Sequence, residues 1–418
     1  MHDNFAEEDQ AILAAVDTGE YDVEVSLAEL TELAETAGIH TTVQVVQKRQ
    51  SFDRATCIGS GKLEEIAQLI QNSDANLIIF DHELTATQLR NIEEICGVAV
   101  IDRTMLILEI FSQRAHSREG RLQVELAQHK YLLPRLMGMG KSLSRLGGGG
   151  GGAGAGARRG AGETKLELDR RHIRKRIQSL AEELEELENR REQLHARRKK
   201  DGITSVAIVG YTNVGKSTLL NALTQAEVLC EDKLFATLDP TARALLLPDG
   251  RSVMLVDTVG LVRRLPHHLV EAFKSTLEEA VHADLLLNVC DISSEEAQEQ
   301  IQVTQQLLEG LGAANTPVLN VLNKCDKVDC IPLAMGDSTA VISAATGFGL
   351  EELLSKIAKM LPPSQRRMKM LIPYAESGVL AEIRQEGKIF LEEFEENGTL
   401  VDALVDHKLI YKVEDWQI

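Results

Sequence analysis

One stretch of this 418-residue chain leaves little freedom in how it folds: Gly210-Tyr211-Thr212-Asn213-Val214-Gly215-Lys216-Ser217. It follows the apolar run Val206-Ala207-Ile208-Val209 and precedes a helical pattern over 218–223. A strand that turns through small residues into a helix aims several backbone N–H groups at one point, and the helix dipole adds partial positive charge there. The spacing is that of G-x-x-x-x-G-K-[ST], so the loop reads as a phosphate cradle. Lys216 is expected at the β- and γ-phosphates and the Ser217 hydroxyl on Mg²⁺, with Thr218 opening the helix behind them.

Further segments follow in an order that narrows the ligand. Val253–Val256 reads as a buried strand ending in Asp257-Thr258-Val259-Gly260, a D-x-x-G. Asp257 is expected to hold Mg²⁺ through water, and the Gly260 N–H to approach a γ-phosphate. Val318–Leu322 leads into Asn323-Lys324-Cys325-Asp326, an N-K-x-D. Asp326 can accept from both the ring N–H and the exocyclic amino group of guanine. Adenine lacks that pair, and an unpaired buried polar group costs roughly 1–3 kcal/mol. Lys324 is expected to cover the base and Asn323 to tie this loop to the phosphate loop. Ser343-Ala344-Ala345, after Val341-Ile342, offers backbone N–H groups to guanine O6. The ligand is therefore expected to be GTP.

The loop that senses a γ-phosphate is expected between Ala226 and Ala242. Within Leu234-Phe235-Ala236-Thr237-Leu238-Asp239-Pro240, Thr237 is the candidate metal ligand and Thr241 the second choice. Phe235, Ala236, Leu238 and Asp239 belong to the same nucleotide-facing segment. Such a loop orders with γ-phosphate and loosens after hydrolysis. Leu261 occupies the place where related enzymes carry a water-orienting Gln, and leucine cannot hydrogen-bond. Hydrolysis by the protein alone is expected at ~10⁻³ s⁻¹ or below, with a partner supplying what is missing. The Asn213 amide oxygen is a candidate for holding K⁺ beside the phosphates; loop hydrogen bonding is its alternative role.

The rest of the chain divides by composition. Residues 1–116 read as an α/β domain with a parallel sheet: strands over Tyr21–Val25, Thr41–Val46, Leu77–Phe80 and Val98–Ile101, and helices over Leu27–Ala37, Leu63–Ile70 and Thr87–Ile95. Residues 117–200 carry a helix with Leu122, Leu126, Leu133 and Leu136, then a glycine-rich tract at 147–162. After it, Ile173, Ile177, Leu180, Leu184, Leu187 and Leu194 recur at heptad-like spacing. An antiparallel helical hairpin with the glycine tract at its tip is expected. The nucleotide domain spans 201–362, and after Pro362-Pro363 a small α/β domain spans 363–418.

Net charge is −19, yet residues 145–200 hold 15 Lys/Arg against 9 Asp/Glu, dense at Arg170–Arg176 and Arg197–Lys200. A basic segment on an acidic chain suggests a local anionic partner. The six cysteines form no CxxC pair, so neither a zinc site nor a disulfide frame is indicated. The acidic start MHDNFAEEDQ is unlike a signal peptide, and no run approaches ~20 apolar residues. A soluble, cytoplasmic and monomeric protein is expected.

GYTNVGKSTLLNAL, LFATLDPTAR, DTVGLV and NKCD, below a glycine-rich helical hairpin, closely resemble the HflX family of ribosome-associated GTPases. The resemblance runs from about residue 20 onward. It implies binding to the large ribosomal subunit through rRNA and ribosomal proteins, splitting or rescue of stalled or idle ribosomes, and hydrolysis stimulated by the ribosome. It also makes a hydrophobic residue at Leu261 normal. The tip departs from the family, since Gly147–Gly152 runs on into Ala153-Gly154-Ala155-Gly156-Ala157-Arg158-Arg159. Two other readings stand beside this one: a non-ribosomal RNA-binding GTPase or chaperone, and an ATP-dependent helicase-like activity in the N-terminal domain. Ile58-Gly59-Ser60-Gly61-Lys62 is too short for a phosphate loop and reads first as the start of a helix. His267-His268 reads as an exposed helix start and not a metal pair.

Overall fold

The computed structural model describes residues 9–136, 161–200, 202–224, 235, 241–263, 279–294, 296–330, 336–362 and 365–418. The chain divides into two compact units. The first comprises Met1–Leu187, Leu229–Asp239 and Val259–Leu277, the second Glu188–Val228, Pro240–Thr258 and Glu278–Ile418.

In the first unit, β1 (Gln10–Asp17), β2 (His40–Lys48), β3 (Leu77–Phe80) and β4 (Ala99–Asp102) form a parallel sheet in the order β2-β1-β3-β4. Helices α1 (Val23–Thr36), α2 (Ser60–Gln71), α3 (Ala86–Cys96), α4 (Arg103–Arg114) and α5 (Arg118–Leu132) accompany it. Ile12, Ala14 and Val16 share a core with Leu63, Ile66, Leu89 and Ile92 of α2 and α3. With helices on both faces, parallel strands read as continuous apolar runs, and β1 is buried almost from end to end.

The expected strand over Tyr21–Val25 is corrected here. Asp22 caps α1, its carboxylate accepting from the Glu24 and Val25 N–H groups, and Val23 begins the helix. Tyr21, Val23 and Val25 alternate like a strand, but an N-cap carboxylate decides the local conformation. The first strand lies earlier, at Gln10–Asp17, where Ala11, Ala14 and Ala15 dilute the β signal. In the Ile58–Lys62 segment, Gly59 caps α2, and Lys62 pairs with Glu65 at 2.9 Å.

The long helix α6 (Ala161–Lys200) begins in this unit. Ile177, Leu180, Leu184 and Leu187 pack with Leu122 and Leu126 of α5. Arg176 bonds Glu125 through two nitrogens at 2.7 and 2.9 Å, while Arg118 reaches Glu183 at 3.5 Å. Rising numbers on one helix meet falling numbers on the other, so the pair is antiparallel. The glycine tract lies outside the described residues up to Gly160. Leu194 departs from the expected seam, being 53 % exposed.

The second unit centres on β5 (Ser205–Gly210). After it come α7 (Lys216–Thr224), β6 (Thr241–Leu246), β7 (Ser252–Asp257), β8 (Leu285–Asp291), α8 (Ala297–Gly310), β9 (Val318–Asn323), β10 (Thr339–Val341) and α9 (Leu350–Met360). The sheet order is β10-β9-β8-β5-β7-β6, parallel except for β6, which runs antiparallel to β7. A smaller antiparallel sheet, β11 (Gln365–Ile372), β13 (Gly398–Asp406) and β12 (Lys388–Glu395) in that spatial order, packs against α10 (Ser377–Glu386) and α11 (His407–Val413). Met368, Met370, Val401, Ala403 and Val405 meet Leu380, Ile383, Leu409 and Val413 there. This is an α/β multidomain chain. Among the described residues no helix is long and apolar enough to cross a membrane.

Candidate nucleotide site

In an open parallel sheet, ligands collect where the strands end. The segments singled out above leave β5, β7 and β9 at that edge. Gly210 closes β5 at φ +147°, where a Cβ would lie 2.2 Å from the Val289 carbonyl oxygen. Asn213 sits at φ 58° and Gly215 at φ 91°. An added Cβ on Gly215 would stand 2.4 Å from Asn323 Nδ2, so glycine is required where two loops touch.

Those loops are tied by Asn323. Its Nδ2 donates to the Val214 carbonyl at 2.8 Å, and its Oδ1 accepts from the Ala344 N–H at 2.9 Å. One buried side chain thus joins the phosphate loop, the N-K-x-D loop and the Ser343–Ala345 loop. Lys324, in the left-handed region at φ 63°, donates to the Asn213 carbonyl at 2.7 Å and pairs with Asp291 Oδ2 at 2.8 Å. Burial opposes the charge on Asp291, but bonds from Lys324 and Ser293 hold its carboxyl below the usual value. The sequence reading missed Asp291; its place at the end of β8 was the available signal. Asp326 is exposed beside these fixed groups, and Ser343 is fully buried.

Lys216 opens α7 and donates to the Tyr211 carbonyl at 2.6 Å. Burial pushes its ammonium down to about 8, against the attraction of Asp257. Phosphate oxygens at the loop favour the charged form. Ser217 Oγ donates to Asp257 Oδ2 at 2.8 Å, with Asp257 fully buried at the end of β7. Thr258 turns inward, and its Oγ1 donates to the Ile208 carbonyl at 2.7 Å. A hydroxyl and a carboxylate from adjacent element ends form a hard-oxygen pair that suits Mg²⁺.

Val259, Gly260, Leu261 and Val262 follow, all buried. Arg263 then falls in a polar cluster of the first unit that sequence reasoning did not find. Its N–H donates to Glu29 Oε1 at 3.2 Å, and its carbonyl accepts from Arg103 Nη2 at 3.4 Å. Arg103 itself pairs with Glu29 at 2.9 Å and Asp81 at 3.0 Å. Phe235 packs in the same unit against Phe111. Ala236, Thr237, Leu238 and Asp239 lie outside the described residues, as do His267 and His268. Thr241 begins β6 in register with Asp257.

A Gly-Lys-Ser loop between the central strand and its helix, a D-x-x-G at the neighbouring strand end and an N-K-x-D beyond it define a P-loop GTPase. Comparison with known proteins agrees. Residues 24–112 match the family described as GTP-binding GTPase N-terminal, 114–198 its middle region, and 205–324 the family described as 50S ribosome-binding GTPase. GTPase HflX of Caldanaerobacter subterraneus is 51 % identical over 97 % of this chain and 93 % of its own length. GTPase HflX of Lacrimispora saccharolytica is 46 % identical over 98 % of this chain and 96 % of its own. A solved GTP-binding protein of Sulfolobus solfataricus in complex with GDP is 28 % identical, covering 84 % of this chain and 98 % of that one at a TM-score of 0.45. The chain belongs to the HflX family of GTPases.

Proposed function

We propose that this GTPase is a switch for the large ribosomal subunit that splits or rescues stalled or idle ribosomes and leaves after hydrolysis triggered there. The observation that carries this reading is the match of residues 205–324 to a 50S ribosome-binding family, on a chain whose long helix is strongly basic at Arg170–Arg176 and Arg197–Lys200. Such clusters suit rRNA phosphate, with affinity that falls as salt rises.

Each site residue then has a role. Backbone N–H groups from Gly210 to Thr218 cradle the phosphates, and Lys216 moves from the Tyr211 carbonyl to the β- and γ-oxygens. Ser217 and Thr237 would hold Mg²⁺ directly and Asp257 through water, and the ion would supply positive charge for the phosphate oxygens. Asp326 reads the guanine N–H groups while Lys324 covers the ring. Because the Ala344 N–H is bonded to Asn323, guanine O6 is assigned to the Ala345 N–H. Leu261 offers no polar atom, so water is positioned by backbone groups, including Gly260, once a partner orders them. The Asn213 amide is assigned to K⁺ beside the phosphates. Co-sedimentation with purified large subunits in a non-hydrolysable GTP analogue, but not in GDP, is expected. Equal failure in both states, with structured RNA still bound, would favour an RNA chaperone.

A further inference from the structure

The last turns of α6 lie in the second unit and run into β5, the strand that ends in the phosphate loop. The Arg198 carbonyl accepts from the Ile203 N–H at 3.0 Å, and Gly202 makes the turn at φ 66°. Apolar packing does little to hold this helix end: Leu194 is 53 % exposed, and a groove of about 600 Å³ lies beside it, lined by Glu192, Met254, His282 and Asp284 among others. Two polar side chains of this end meet one carboxylate. Glu279 Oε1 lies 3.4 Å from His195 Nε2, and its Oε2 accepts from Arg198 Nη1 at 3.5 Å. The His195 ring packs on the His282 ring with centroids 4.8 Å apart. Burial pushes the His195 imidazole below its ordinary value, partly offset by Glu279.

Glu279 is itself firmly mounted. The next residue, Ala280, is fully buried in a core with Ala207 and Val209 of β5. This position therefore joins two things: the end of the long helix, through His195 and Arg198, and the phosphate-loop strand, through the Ala280 core.

We propose that Glu279 is a positioning residue for partner-stimulated hydrolysis, holding the last turns of α6 through His195 and Arg198 so that their displacement by a bound partner reaches the nucleotide site. This rests on the reading of α6 as the partner-facing element. Full-length Glu279→Gln and the charge-swapped pair Glu279→Arg with Arg198→Glu test it. With purified large ribosomal subunits, Glu279→Gln should keep basal turnover and subunit binding, yet lose at least about tenfold of the stimulation. The swap should restore most of it. Unchanged stimulation in Glu279→Gln, or a loss that only follows weakened subunit binding, overturns the proposal. Hydrogen exchange over residues 188–200 decides the matter even if subunits prove not to be the partner. The wild type should differ between GDP and a GTP analogue, and Glu279→Gln should not. A wild type with identical exchange in both states overturns it.

Discussion

The Phe235 ring meets the Phe111 ring edge-on, with centroids 4.5 Å apart and planes at 72°. Phe235 belongs to the segment after the phosphate loop, is 2 % exposed and sits at φ 54°, where a residue with a Cβ is rarely found. Phe111 is buried on α4 of the N-terminal domain. A strained backbone persists where its surroundings over-determine it, and the buried ring contact is one such restraint on Phe235.

A double-mutant cycle isolates the pair. Phe111→Ala alone should destabilise the N-terminal domain by about 3–5 kcal/mol, as for other buried phenylalanines. Combined with Phe235→Ala, the coupling in urea unfolding should be about 0.5–1.5 kcal/mol. Strict additivity would show that the rings do not meet in solution.

Asn323 bonds two loops at once, so Asn323→Ala leaves the Val214 carbonyl and the Ala344 N–H without this partner. Each loss costs about 1–3 kcal/mol. GTP and GDP affinity should fall together by at least about tenfold, with a much smaller change in single-turnover rate at saturation. Titration calorimetry against rapid-quench hydrolysis separates the two.

Asp326 decides the base. Asp326→Asn replaces an acceptor pair by one acceptor and one donor, which suits the 2-oxo group of xanthine. Its preference should swing from GTP toward XTP by a factor of 100 or more, given about 1–3 kcal/mol per mismatched group. Competition binding with GTP, XTP and ATP reads this directly. Unaltered GTP preference would remove Asp326 from the base site.

Asn213 gives an ionic prediction. Its backbone carbonyl accepts from Lys324 Nζ, and its side-chain amide is the group proposed to hold K⁺. Hydrolysis should be faster in KCl than in NaCl at equal ionic strength, and Asn213→Ala should erase the difference. A wild type indifferent to the cation leaves Asn213 as a loop-bonding residue.

The nucleotide-site loops were legible because phosphate and guanine chemistry fix residue types at fixed spacings: Gly215 is required by its approach to Asn323, while the helix behind the loop opens at Lys216, two residues before the expected Thr218. Leu77–Phe80 was equally plain, a four-residue apolar run that is the whole of β3. The β1 strand was not, because an alanine-rich run carries little β signal and Asp22 turned a strand-like alternation into a helix start. Contacts distant in sequence left no trace in it. Arg263 with Glu29, Phe235 with Phe111 and Glu279 with Arg198 each join residues 81 or more positions apart, and no local pattern announces such a pairing. Leu194 continued the heptad count past the point where its partner helix ends.

GTP turnover with and without purified large ribosomal subunits, at low and high salt, tests the central claim most directly. Alone, the protein should turn over at ~10⁻³ s⁻¹ or below, as expected without a water-orienting glutamine. Subunits should raise the rate by orders of magnitude at low salt and much less at high salt. Turnover near 1 s⁻¹ without a partner, or tight GTP binding with no response to subunits, would contradict it.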